Sequence, residues 1–258
     1  MKIHANGIDI RYRLEGNGPV VTLAHSLATD LSLWDGLTAE LSKDFTVLRY
    51  DARGHGRTSA PDGPYDFPTL VADLAGLLDA LKIERTHFVG LSMGGMLGQH
   101  FALAAPERLD RLVLVSTASR TPPEAGAVWD ERIAVARNQG MRAHVEPTLA
   151  RWFTVPYREA HPEVMKRIGT LIAATPVDGF AGWGAAIRTL DVTDRLGAVR
   201  APTLVIVGAE DPGTPPALSQ VIAAAVPGAR LEIVPAASHQ LVIEQADAFQ
   251  RLLLGFLG

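Results

Sequence analysis

The run HFVGLSMGGMLGQHFAL, His87 to Leu103, sets one serine among four glycines, between an apolar stretch and a stretch with helical periodicity. Thr86 to Ser92 is short and apolar, as a strand buried on both faces should be. Met96 to Leu109 repeats apolar residues at three- and four-residue steps, which predicts a helix. Between them, Gly90-Leu91-Ser92-Met93-Gly94 reads G-x-S-x-G. In a strand–turn–helix setting such a serine stands on a sharp turn whose neighbours must be small. Its hydroxyl then leaves the carboxyl edge of the sheet. The following helix brings its positive N-terminal end near any oxyanion that develops there. The competing reading is a tight turn with an incidental serine, and the partners of Ser92 decide between the two.

A serine hydroxyl needs a base, and the base needs an orienting acid. Where the serine tops a strand in this way, the acid and the histidine follow it in that order. Of eight histidines, His239 follows the last apolar strand, in VPAASHQLVIEQ, a loop before the final helix. The acid should end a strand between Ser92 and His239. Asp211 in LVIVGAEDPGTPP does so, because the Gly208-x-x-Asp spacing lets the chain turn first. Glu210 is its neighbouring competitor, whereas Asp191 and Asp194 follow no strand. An oxyanion hole needs two backbone donors. Met93 N–H is one by position, and Leu27 N–H in LAHSLATD is the expected second, with His25 bracing that loop.

Working outward, IHANGIDIRYRLEG alternates around Asn6-Gly7 and predicts a β-hairpin. Further strands are expected at PVVTLAHS, Phe45–Asp51, Arg111–Ser116, Thr203–Asp211 and Ala229–Pro235, with helices at TLVADLAGLLDALKI and ADAFQRLLLGFL. Strands alternating with helices argue for an α/β fold, a mostly parallel sheet covered on both faces with antiparallel strands at one edge. Arg120 to Val192 breaks the alternation. It carries Trp129, Trp152 and Trp183 and several helical stretches interrupted by prolines. The expected division is a core of residues 1–119 and 193–258 with a helical cap insertion at 120–192.

Hydrophobic residues are 47% and charged residues 20% of 258, enough for a sizeable core, and the net charge is −4. No basic tract points to nucleic acid or an anionic membrane, and no signal peptide or membrane span is expected. The default is a cytoplasmic protein. Cysteine is absent, which excludes disulfides and thiolate–metal sites. YDARGHGRTSAP, Tyr50 to Pro61, is a polar glycine-rich loop in which Asp51 and Arg53 are expected to pair. His55 has no second ligand at metal-binding spacing, so no metal is expected, and no G-x-G-x-x-G element opens a dinucleotide site. No cofactor is expected.

These residues together resemble the α/β-hydrolase superfamily across the whole chain, GLSMGG matching its nucleophile turn and DARGHGRTS its D-x-R-G-x-G loop. More narrowly, HSLATDLSLWD, VLRYDARGHGRTSAPDGPYD, GLSMGGMLGQ, APERLDRLVLVSTA, ERIAVARNQGM and GAEDPGTPP are similar to the 3-oxoadipate enol-lactonases. Two departures stand out: Ala28 occupies a position where that family usually has glycine, and QLVIEQ replaces a Leu-x-Asn-Val-Glu-Gln-like run. The resemblance implies a serine hydrolase that opens a lactone or carboxylic ester through an acyl-enzyme. An enol-lactone bearing a carboxylate calls for a cation, and Arg132 beside Trp129, with Trp152, is the candidate substrate contact. A broad carboxylesterase or an acyl-homoserine lactone hydrolase shares the chemistry, and would favour an apolar tunnel without an inward arginine. A hydrolase-fold ligand receptor would differ in turning over slowly. The oligomeric state is left open.

Overall fold

A computed structural model describes residues 1–258. Eight strands form one sheet: β1 (Lys2–Ala5), β2 (Ile8–Glu15), β3 (Val20–Ala24), β4 (Thr46–Tyr50), β5 (Thr86–Leu91), β6 (Leu109–Val115), β7 (Thr203–Gly208) and β8 (Arg230–Val234). Their order is β1-β2-β4-β3-β5-β6-β7-β8. The pairs β1/β2 and β2/β4 are antiparallel and all the others are parallel. The opening hairpin turns where expected. Asn6 and Gly7 take φ of 47° and 76°, the left-handed pair that a two-residue turn between right-twisted strands requires.

Eleven helices accompany the sheet: α1 (Asp35–Leu41), α2 (Phe67–Ala80), α3 (Met93–Ala104), α4 (Ala125–Gln139), α5 (Val145–Trp152), α6 (Val155–Ala160), α7 (Pro162–Ala174), α8 (Val177–Arg188), α9 (Pro216–Ala225), α10 (Leu241–Glu244) and α11 (Ala246–Leu257). Side chains alternate across the strands, so one strand feeds two cores. Phe88, Leu112, Leu114 and Val205 pack with α2, α3 and α9 on one face. Val89, Val113, Val115, Leu204 and Ile206 pack with α1 and α11 on the other. Burial on both faces is why Phe88–Leu91 of β5, Leu112–Val115 of β6 and Leu204–Gly208 of β7 are continuously apolar.

Periodicity missed α1 and α9, which are short. It also ran α3 too far. The helix ends at Ala104 because Ala105 precedes Pro106 and is forced to φ −140°, ψ 60°. The chain then makes a tight turn at Pro106–Arg108 and enters β6 at Leu109, two residues before the expected start. Between β6 and β7 lie α4 to α8, and Arg120 and Asp191 bridge where this helical segment leaves and rejoins the sheet layer. No helix is long and apolar enough to cross a membrane.

Candidate active site

Ser92 stands between the last residue of β5 and the first of α3. Its backbone sits at φ 55°, ψ −111°, a sparsely populated conformation for an L-residue. The turn is held from several sides. Ser92 N–H donates to Val115 O at 2.8 Å, while Ser92 O accepts from Met96 N–H at 3.0 Å and Thr117 Oγ1 at 2.7 Å. A Cβ on Gly90 would lie 2.3 Å from Gly94 O, and a Cβ on Gly94 would lie 2.4 Å from Ala24 O. Both collisions are with backbone, so glycine is required on either side. Strain of roughly 1–3 kcal/mol is thereby imposed on one residue.

Asp211 lies just past the end of β7, and His239 lies between β8 and α10. His239 Nδ1–H donates to Asp211 Oδ2 at 2.8 Å. Asp211 also accepts from Gly213 N–H at 2.8 Å, Thr214 N–H at 2.9 Å and Thr214 Oγ1 at 2.7 Å. Burial alone would raise the Asp211 carboxyl. The charge that His239 carries when protonated, and the bonds from His239 and Thr214, outweigh it and hold the carboxyl below its ordinary value. This tautomer leaves His239 Nε2 as an acceptor. Glu210 is exposed and takes no part, while Asp191 and Asp194 pair with Arg120.

Leu27 lies in the turn after β3, outside any helix or strand, and its N–H meets no backbone acceptor. Met93 is the first residue of α3, so its N–H has no partner within the helix. Two buried histidines fix the Leu27 turn. His25 Nδ1–H donates to Ser26 O at 2.8 Å and its Nε2 accepts Ala52 N–H at 3.0 Å. His55 Nδ1–H donates to Arg53 O at 3.2 Å and its Nε2 accepts Ala28 N–H at 3.0 Å. Both imidazoles are thus neutral connectors between the 25–29 and 51–57 loops. Burial lowers both, His55 to about 3, with His25 adding to the effect on His55. The expected Asp51–Arg53 pair does not form. Arg53 makes a two-pronged bond to Asp73 through Nε and Nη2, both at 2.6 Å. Asp51 instead accepts from Leu31 N–H, Arg57 N–H and Arg11 Nη1.

Ser92, His239 and Leu27 open on one cavity of ≈ 270 Å³. Trp129, Arg132 and Trp152 also line it. The Arg132 guanidinium lies 5.0 Å from the Trp129 ring centroid, and the Trp152 ring stacks at 6.1 Å from His239. Trp183 is elsewhere: it is buried, donates to Arg53 O at 2.8 Å and packs edge-on to His55. The arrangement places a hydroxyl, a carboxylate-braced imidazole acceptor and the Leu27 backbone around a partly apolar space, a constellation suited to acyl transfer.

With this geometry in view, a family model for the alpha/beta hydrolase fold matches residues 19–246. The chain belongs to the α/β-hydrolase family. This α/β-hydrolase is 35% identical to 3-oxoadipate enol-lactonase 2 of Acinetobacter baylyi, over 95% of this chain and 91% of that one. It is 32% identical to a putative carbamate hydrolase of Variovorax paradoxus, over 96% of each. Among solved structures it is similar to the enol-lactonase of Burkholderia xenovorans LB400, at 41% identity and a TM-score of 0.96, covering 100% of this chain and 99% of that one.

Three participants in this hydrolase's cavity region escaped sequence reasoning. Arg151 lines the cavity from the last turn of α5. Gln240 donates through Nε2 to Ser26 Oγ at 3.1 Å, joining the histidine loop to the Leu27 turn. Glu244 accepts from Ser238 N–H and from Thr154 N–H, joining the histidine loop to the start of α6. No local pattern marks them, although Gln240 falls where the QLVIEQ run departs from the Leu-x-Asn-Val-Glu-Gln-like run of the 3-oxoadipate enol-lactonases.

Proposed function

We propose that this protein is a serine hydrolase that opens a small lactone through an acyl-enzyme, with 3-oxoadipate enol-lactone as its substrate. Ser92 is the nucleophile, His239 the base and Asp211 the orienting acid. Leu27 and Met93 N–H groups form the oxyanion hole. Residues 120–192 serve as a helical cap over a core of residues 1–119 and 193–258, closing the substrate space. The observation that carries the reading is the buried Asp211–His239 pair opening on the same cavity as a strained Ser92.

His239 Nε2 takes the Ser92 proton as Oγ attacks the lactone carbonyl. The new charge falls between the two N–H donors, each contributing about 2.7–4 kcal/mol to the transition state. Collapse of the tetrahedral intermediate breaks the ring C–O bond. An enolate is a good leaving group, so protonation of its oxygen by His239 is a light demand. The freed enol tautomerises to a ketone while it is still tethered through the ester. Water then attacks the ester as His239 Nε2 removes its proton, and the acid leaves with Ser92 restored. Acyl transfer of this kind draws on protein groups alone.

Two features support a compact acidic lactone over a long-chain acyl lactone. The cavity is slightly below the ~300–1,000 Å³ usual for small-molecule clefts. Arg132 lines it, where an apolar tunnel would suit a neutral acyl tail. The similarity to enol-lactonases points the same way.

Ser92→Ala tests the mechanism: ester and lactone hydrolysis should fall by several orders of magnitude with unfolding unchanged, and near-wild-type turnover would exclude it. The substrate is tested by comparing kcat/KM for the enol-lactone, acyl-homoserine lactones, carbamate and p-nitrophenyl esters. An enol-lactone value no better than that of a plain ester would defeat the specific assignment.

A further inference from the structure

Leu27 N–H and Ser26 O belong to one peptide unit, and in a trans peptide they point in opposite directions. Whatever holds Ser26 O therefore sets the direction of Leu27 N–H. Ser26 O accepts from His25 Nδ1–H at 2.8 Å, Thr29 Oγ1–H at 2.8 Å and Thr29 N–H at 3.3 Å. Behind this carbonyl runs a relay. Gln240 Nε2 lies 3.1 Å from Ser26 Oγ, Ser26 Oγ lies 3.3 Å from Thr29 Oγ1, and Thr29 Oγ1 lies 2.8 Å from Ser26 O. Ser26, Thr29 and Gln240 are fully buried, so water does not compete for these groups. The two ends fix the polarity, because an amide nitrogen only donates and a carbonyl only accepts. The protons of Gln240 Nε2, Ser26 Oγ and Thr29 Oγ1 then fill all three contacts in one direction. Turning the Gln240 amide over would leave two hydroxyl protons for the same three contacts.

We infer that Gln240 is a positioning residue of the reaction: through Ser26 and Thr29 it orients and polarises the peptide whose N–H receives the oxyanion. This rests on the oxyanion role proposed above for Leu27 and extends it to three residues that do not line the cavity. Hydrogen bonds in a buried chain strengthen one another, so the donors behind Ser26 O make Leu27 N–H a better donor. Gln240 also follows His239 directly. Its N–H donates to Trp152 O at 3.0 Å, and Ser238 Oγ donates to Arg151 O at 3.2 Å, so both neighbours of the base are tied to the end of α5. The relay thus sets the oxyanion donor, in the turn after β3, in register with the base, in the loop after β8. Its effect falls where charge develops in the transition state and not on the ground-state ester.

The test compares p-nitrophenyl acetate hydrolysis with inhibition by benzeneboronic acid. Ser92 Oγ adds to the boron, its proton passes to His239 Nε2, and the tetrahedral anion presents an oxygen to the Leu27 turn. Gln240→Leu should lower kcat and weaken boronate inhibition by about 3–10-fold each, the worth of one neutral hydrogen bond, with KM within about twofold. Thr29→Val should do the same, and Thr29→Ser, which keeps the hydroxyl, should behave as the wild type. Gln240→Leu with Thr29→Val should cost about as much as the costlier single change, because both cut one chain. Unchanged kcat and boronate inhibition, or losses that simply multiply, overturn the inference. A Gln240 that only stiffens the histidine loop would shift the acid limb of the kcat/KM pH profile and leave Thr29→Val unimpaired, which also overturns it. If Gln240→Leu does not fold, the two Thr29 variants carry the same test. Ser92→Ala separates the two levels. If it still cleaves the ester at the wild-type rate, the hydrolase reading fails; if it is inactive while Gln240→Leu and Thr29→Val are unimpaired, the relay alone fails.

Discussion

Ala28 N–H donates to His55 Nε2 at 3.0 Å, and with the bond from Ala52 N–H to His25 it joins the turn after β3 to the polar loop after β4. The turn carries Leu27, and the bond holds Ala28 at φ 58°. Both partners lead to predictions.

An alanine in the left-handed region is strained by about 1–2 kcal/mol, part of which glycine regains and part of which glycine loses to chain entropy. Ala28→Gly should therefore stabilise the protein by roughly 0.5–1 kcal/mol. Urea unfolding at neutral pH measures it. A β-branched Ala28→Val should move the midpoint the other way, and equal midpoints for all three chains would show that the turn is not strained.

His55 is neutral when folded, with its value lowered from about 6.5 to about 3 by burial and by His25. The unfolded chain takes up this proton as pH falls below about 6.5, whereas the folded chain resists until about pH 3. Stability is thus complete above the unfolded value and declines across that window. His55→Gln keeps an acceptor for Ala28 N–H but has no titration. Its unfolding free energy should lose slope between pH 6 and 4, by up to about 1.4 kcal/mol per pH unit. Superimposable pH profiles would contradict the neutral, buried assignment.

Asp211→Asn should cut kcat by about 10⁴-fold, because an amide no longer holds the Nδ1–H tautomer of His239. Glu210→Gln, at an exposed position one residue away, should stay within about twofold of wild type. Steady-state kinetics on one ester decide it, and the reverse ranking would move the acid to Glu210.

Glu244 has no cationic partner and is held by N–H groups of Ser238 and Thr154. Glu244→Ala leaves both donors unmatched, at roughly 1–3 kcal/mol each. It should lower the Tm by several degrees and lower kcat, since Ser238 precedes His239. Glu244→Gln keeps one acceptor and should fall between. A fully active Glu244→Ala would show that the histidine loop is held by other contacts.

Much of this architecture is legible in residue order. The period-two run around Asn6-Gly7 has one good solution, a hairpin, because both turn residues tolerate positive φ. The apolar runs of β5, β6 and β7 specify strands covered on both faces, and Gly90 and Gly94 around Ser92 specify a turn too tight for a side chain. Asp211 and His239 stand next to each other because each follows a strand, and strand ends in a parallel sheet meet at one edge. Local pattern fails where the answer depends on distant partners. Arg53 and Asp51 are near in sequence and chemically matched, yet Arg53 turns to Asp73 on α2 and Asp51 turns to Arg11 and to backbone donors. The pairing of charges follows distance and burial after folding, not spacing along the chain.

The sequence by itself determined the α/β layering, the tight turn at Ser92, and the order of Ser92, Asp211 and His239 at strand ends, because these rest on short-range sterics and on alternation. Only the tertiary structure decided which arginines in the cavity remain without a counter-ion. Arg120, Arg132 and Arg151 are alike as letters. Folding brings Asp191 and Asp194 to Arg120, a ring face to Arg132 and a neutral hydroxyl to Arg151. Charge is a property of a residue, but its neutralisation is a property of the neighbours that folding supplies.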